Sequence, residues 1–177
     1  MTKPKRKARG VENTKLVICE GISDKKFFER MKEVYHNRKC GFTIKLDEAA
    51  GGGPKTAIMA AINYNGHFDK KIVYIDSDIS IPVDARKAAE RKNIMIIQSV
   101  PHCLEGLLLK VTGHKGEIRD TEHAKTMLYR QYELPDVVTE VWYEQYITAQ
   151  IMDSVAVEDK HCCHEVVKEI ISLFSKF

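Results

Sequence analysis

Acidic side chains stand where this chain leaves its apolar runs. Glu20 follows Leu16–Cys19 directly, with Gly21 next and Asp24 close behind. Asp76 and Asp78 close the run Lys71–Ile75, and Glu105 follows Pro101-His102-Cys103-Leu104. In extended backbone, side chains two apart share a face, so Asp76 and Asp78 can aim together. Clustered carboxylates repel one another, and a hard divalent cation relieves the repulsion. Mg²⁺ takes oxygen ligands at about 2.0–2.1 Å and is usually held by one or two carboxylates plus a substrate phosphate. Gly21 removes side-chain bulk where a backbone or phosphate could come close. Taken singly, Asp24 or Asp78 reads as an ordinary cap or surface group; the full set reads as a metal site.

Alternating elements are needed to bring such residues together. Lys15–Cys19, Phe42–Leu46, Lys71–Ile75 and Ile94–Gln98 read as four strands. Between them, helical periodicity runs over Ser23–His36, Lys55–Tyr64 and Val83–Lys92. Apolar strands alternating with helices predict βαβ units, an α/β fold with a mostly parallel four-stranded sheet. In such a sheet all carboxyl ends lie on one edge, where ligands bind, and the acidic residues fall at that edge. After Pro101 the pattern becomes helical, with helices expected at Leu104–Val111, Thr121–Gln131, Val137–Met152 and Glu158–Ser175. The expected organisation is a basic disordered arm over 1–12, an α/β domain over 13–112, and a helical C-terminal extension over 113–177 packed on the same core.

The segments VICEGISDKKFFERM and IVYIDSDIS resemble the TOPRIM domain of topoisomerases, primases and several small nucleases. That family pairs a strand-one Glu, in an EG…D setting, with Asp-x-Asp at the end of a later strand. SVPHCLEGLLLK is similar to the Ser-x-Pro-x-x-Glu-x-x-Leu-Leu segment of RloB-like and overcoming-lysogenisation-defect nucleases, although Gly106 stands where RloB-like proteins commonly have an aromatic. The resemblance covers about residues 16–110 and implies a Rossmann-like TOPRIM fold. It also implies Glu20, Asp76 and Asp78 as catalytic residues. Glu20, Asp76, Asp78 and Glu105 would be ligands of Mg²⁺ or Mn²⁺, with Glu105 holding a second metal. Asp24, Gly21, Lys55, Ser99 and His102 are accessory candidates, Asp24 with the alternative of anchoring the first helix through Lys25 or Lys26.

The implied activity is metal-dependent hydrolysis of DNA phosphodiesters, in a setting of bacterial or phage conflict. Processing of structured RNA by a small TOPRIM ribonuclease is an alternative, as is a non-catalytic nucleic-acid-binding or sensing subunit. The chain is too short to add a topoisomerase's strand-passage domain or a primase's accessory domains. Expected partners are nucleic acid, DNA ahead of RNA, and a second copy or a partner ATPase subunit.

Composition fits this picture. The 177 residues carry 28 Lys+Arg against 25 Asp+Glu, a net charge of +3. Five of the positive charges, Lys3, Lys5, Arg6, Lys7 and Arg9, lie in the first ten residues. An arm of this kind suits phosphate backbones, since each neutralised phosphate releases a counterion. No apolar stretch reaches the roughly 18 residues of a membrane span. The five cysteines are an odd, scattered set, which favours a reducing, cytoplasmic setting over a disulfide scaffold.

Three other motifs read as structural. Gly51-Gly52-Gly53-Pro54-Lys55-Thr56 fails the P-loop pattern, because Pro54 replaces the Gly before Lys and Ala50 the earlier Gly. His161-Cys162-Cys163-His164 lacks the separated partner pair of ordinary zinc sites, and the apolar stripe Val166, Val167, Ile170, Ile171, Phe174 after it reads as a helix on the core. Trp142, Tyr143 and Tyr146 read as core or a subunit contact.

Overall fold

In a computed structural model the described residues are 13–37, 39–135 and 137–177. The predicted arm, with Lys3, Lys5, Arg6, Lys7 and Arg9, lies outside them. The first part of the fold runs β1 (Asn13–Cys19), α1 (Ile22–Tyr35), β2 (Phe42–Glu48), α2 (Gly53–Asn63), β3 (Lys70–Ile75), α3 (Val83–Arg91) and β4 (Ile94–Gln98). The sheet is all-parallel, in the order β2-β1-β3-β4. The expected α/β, Rossmann-like class is what is found.

Burial explains the strand sequences. β1 and β3 are interior strands, and Leu16–Cys19 and Ile72–Ile75 are buried without a break. β2 is an edge strand, and its FTIKL alternates buried with exposed. Alternate strand residues feed two cores. Leu16, Ile18, Val73 and Ile75 pack with α2 and α3 through Ala57, Ile58, Ala61, Ala85 and Ala89. Val17, Cys19, Ile72 and Tyr74 face the larger core, with Phe27, Phe28 and Met31 of α1.

The second half completes that larger core. It comprises α4 (Leu104–Val111), α5 (Thr121–Gln131), α6 (Glu140–Tyr146), α7 (Ala149–Val157) and α8 (His164–Ser175). Phe174 of α8 packs 5.8 Å from Phe28, centroid to centroid. Trp142, Tyr146 and Tyr132 pack against one another, edge-on or tilted, with ring centroids 4.7–5.2 Å apart.

Two sequence expectations need correction. The helix expected over Val137–Met152 is two helices, because Thr139 and Thr148 each start one: their hydroxyls accept from the Trp142 and Ile151 N–H groups. Such side-chain caps define a helix start against a continuing apolar pattern. The helix expected from Glu158 begins at His164, after turns in which the His161 and His164 N–H groups bond the Glu158 and His161 carbonyls.

The β4–α4 connection is built tightly. Val100–Pro101 is cis, and His102 adopts a left-handed φ of 62°, an uncommon conformation for a non-glycine residue. Its carbonyl accepts from both the Ser77 and Asp78 N–H groups, at 2.8 and 3.1 Å. A Cβ on Gly106 would stand 2.1 Å from the Pro101 carbonyl oxygen, so α4 seats against this loop only with glycine there. Gly→Ala inside a helix ordinarily stabilises by about 0.5–1 kcal/mol. Gly106→Ala should instead destabilise by about 1–3 kcal/mol, the cost of overpacking, read as a lower melting temperature. A raised one contradicts the packing.

Candidate active site at the carboxyl edge of the sheet

Chain order places the acidic residues at one point. From β1 the chain moves to β2 on one side and later to β3 on the other, so the order in which strands are added reverses between β1 and β3 while the strands stay parallel. Ligand crevices in open α/β sheets form beyond the strand ends at such a switch point. Glu20 ends β1 and Asp76 ends β3, across this junction.

Backbone donors tie the two together. The Asp76 N–H donates to Glu20 Oε2 at 3.2 Å, and the Glu20 N–H donates to the Tyr74 carbonyl at 3.0 Å. Asp76 Oδ1 accepts from the Ser99 hydroxyl at 2.9 Å and from the Leu104 N–H, at the start of α4, at 3.2 Å. A helix N-terminus favours negative charge, which suits the carboxylate's position. Asp24 is buried and accepts from the Gly21 N–H at 2.9 Å, closing the first turn of α1. Lys25 pairs instead with Glu48 at 2.9 Å and Asp47 at 3.9 Å, so Asp24 is not the anchor of a lysine.

The later helices reach the same edge. Thr121 of α5 donates to Asp78 Oδ2 at 2.7 Å, and the Tyr129 hydroxyl of α5 donates to Glu105 Oε1 at 3.4 Å. Residues 121, 125 and 129 share a helix face, so this face of α5 also carries Lys125.

The carboxylates act on one another electrostatically. Burial, then the nearby Asp76, Glu105 and Glu20 charges, pushes Asp24 up to about 8 despite the Gly21 N–H. Burial pushes Asp76 up to about 6, with Glu20, Glu105 and Asp78 adding to the rise and the Ser99 hydroxyl opposing it. Glu20 is raised by burial, and by Asp78, against the Asp76 N–H. Among the described residues, none of these five carboxylates forms an ion pair with Lys, Arg or His.

Their spread is wider than that of a compact cage. The one group of three His, Cys, Asp or Glu residues among those described with all ligand atoms within 4.8 Å of one another is His161, Cys162 and Cys163. A cation at the acidic edge would have to be held through one or two carboxylates with water completing its shell, as is common for Mg²⁺. The donors range from buried Asp24 and Glu105 through half-buried Glu20 and Asp76 to exposed Asp78, and hard carboxylate oxygens are the donors such a cation takes.

The accessory candidates divide. Ser99 is buried and bonded to Asp76. His102 sits beside the site through its backbone, but its ring Nε2 is 3.0 Å from the Ile118 carbonyl. Lys55 extends to Asp84 on α3 at 2.7 Å, an exposed pair worth little. A Cβ on Gly21 would meet Asp24 Oδ2 at 3.5 Å, an ordinary contact, so that glycine is not demanded by space. Sequence reasoning missed Thr121, Tyr129 and Lys125, whose helical segment carries no motif.

No protein-family model, curated protein or solved structure matches the chain. No helix among the described residues is long and apolar enough to cross a membrane.

The raised Asp24 sets a pH dependence. Between its usual 3.8 and about 8, the folded protein holds a proton the unfolded chain has released, so stability falls as pH rises through this window. Asp24→Asn keeps an acceptor for the Gly21 N–H and removes the ionisation. In chelator, its melting temperature should exceed wild type's by a margin that widens by several degrees from about pH 5 to about pH 8. A margin independent of pH would contradict the assigned environment.

Proposed function

We propose that the protein is a metal-dependent nuclease of the TOPRIM class, hydrolysing phosphodiester bonds, with DNA as the favoured substrate. The observation that carries this reading is the set of interacting carboxylates Glu20, Asp76, Asp78 and Glu105 at the β1–β3 switch point, with no ion pair to Lys, Arg or His among the described residues. A bound Mg²⁺ or Mn²⁺ there would supply charge neutralisation of the phosphate and acidify a water.

In this reading Glu20 takes the proton from the attacking water at a carboxylate oxygen. Its raised pKa makes it a better base than an exposed glutamate. Asp76 is the principal metal ligand, oriented by Ser99 and by the start of α4. Asp78 and Glu105 complete the donor set, each held by a hydroxyl of α5. Lys125, on the same α5 face, offers a cation for a non-bridging phosphate oxygen. The basic residues near the N-terminus add affinity for the rest of the backbone.

The test uses plasmid, single-stranded DNA and structured RNA with Mn²⁺. Wild type should cut DNA, and Glu20→Gln and Asp76→Asn should lose at least about 100-fold in rate, the lower range for a positioned proton-transfer group, while remaining folded. Lys125→Ala should lose rate as well, with its melting temperature unchanged. Cleavage of structured RNA alone would move the substrate to RNA. Metal-dependent nucleic-acid binding with no Glu20-dependent turnover would make the protein a binding subunit, and wild-type rates in either carboxylate variant would remove the site assignment.

A further inference from the structure

A second group of chemistry-bearing side chains lies away from the carboxylate edge. His161, Cys162 and Cys163 precede α8, and their ligand atoms all lie within 4.8 Å of one another. Cys163 is buried, Cys162 is exposed and His161 is half-buried, so the group opens to solvent on one side. The two sulfurs stand 3.7 Å apart. Sulfurs bound at about 2.3 Å to one tetrahedral centre stand about 3.8 Å apart, so the thiols already span one edge of such a site.

The imidazole is prepared in the same way. His161 Nε2 lies 3.2 Å from the Lys110 carbonyl, which only accepts, so the ring proton belongs on Nε2. Nδ1 accepts from the Cys163 N–H at 3.1 Å and therefore carries the lone pair. A ring N–H donated to a backbone carbonyl is the usual outer support of a metal-binding histidine. His164 stands apart: its Nε2 is 3.4 Å from Asp159 and 3.5 Å from Glu165.

We propose that His161, Cys162 and Cys163 form a binding site for a thiophilic divalent cation of the Zn²⁺ class, with water in the fourth position. Binding releases both thiol protons to solvent, forms two metal–sulfur bonds and one metal–nitrogen bond, and changes no oxidation state. Cys163 gives up its S–H bond to the Val100 carbonyl (3.1 Å), and the Cys163 N–H gives up Nδ1. Thiolate and imidazole donors select soft or borderline ions, whereas the carboxylate edge selects hard ones. Binding would rigidify the turn before α8, and His161 Nε2 would keep its bond to the Lys110 carbonyl at the end of α4.

The test adds Cd²⁺ to the full chain, reduced and stripped of metal, and follows the thiolate-to-cadmium charge-transfer absorption and the mass of the intact complex. Wild type should bind one Cd²⁺ per chain with the absorption of two thiolates, and excess Mg²⁺ should not displace it. Cys162→Ser alters an exposed side chain and should keep the fold by circular dichroism. It should halve the absorption and weaken binding at least about tenfold, the loss that removal of even an outer partner produces. His161→Gln should weaken binding similarly with the absorption kept. Glu20→Gln should leave Cd²⁺ binding unchanged, which separates this site from the nuclease reading. Absence of the absorption in wild type, or full absorption in Cys162→Ser, would overturn the proposal.

Discussion

Like charges held close together in a half-buried crevice repel, and the rest of the fold has to hold them there. The β1–β3 junction brings Glu20 to Asp76, and α1, α4 and α5 bring in Asp24, Glu105 and a hydroxyl for Asp78. What restrains them is mostly neutral: N–H groups of Asp76, Leu104 and Gly21, and hydroxyls of Ser99, Thr121 and Tyr129. Hydrogen bonds to a carboxylate favour its charged form. Here they offset only part of burial and mutual repulsion, since Asp24 and Asp76 remain raised. An arrangement satisfied by donors but not by counter-charge retains a demand for positive charge.

That demand gives the second half of the chain a role beyond packing. Helix α5 reaches two of the carboxylates, and the β4–α4 loop is shaped around Asp76 and the Ser77 and Asp78 amides. The left-handed His102 belongs to this arrangement: its carbonyl collects both amides while its ring is engaged by Ile118. Gly106 lets α4 approach closely enough for the Leu104 N–H to reach Asp76. Its substitution would therefore disturb the site as well as the packing.

The parallel sheet was legible because burial writes itself into strands: two runs apolar on both faces lie inside, and an alternating one lies at the edge. That the acidic residues follow strands was equally legible, since a parallel sheet sends all its carboxyl ends one way. The order β2-β1-β3-β4 was not, because several orders satisfy the same pattern. Nor was the break at Ile147–Thr148, where the apolar period continues and one threonine cap decides. Thr121 and Tyr129 find partners 43 and 24 residues away, contacts that no local pattern encodes. The run His161-Cys162-Cys163 has no second ligand pair in sequence, and that its three ligand atoms lie within 4.8 Å of one another depends on the turn before α8.

A nuclease of this kind requires the carboxylate edge to take a hard cation, and anomalous diffraction from crystals grown with Mn²⁺ examines that directly. The expected result is an anomalous peak about 2.1 Å from an oxygen of Asp76, with Glu20 bound directly or through a water. Ordered Mn²⁺ confined to other parts of the surface, with the Glu20–Asp76 crevice holding only water, would contradict it.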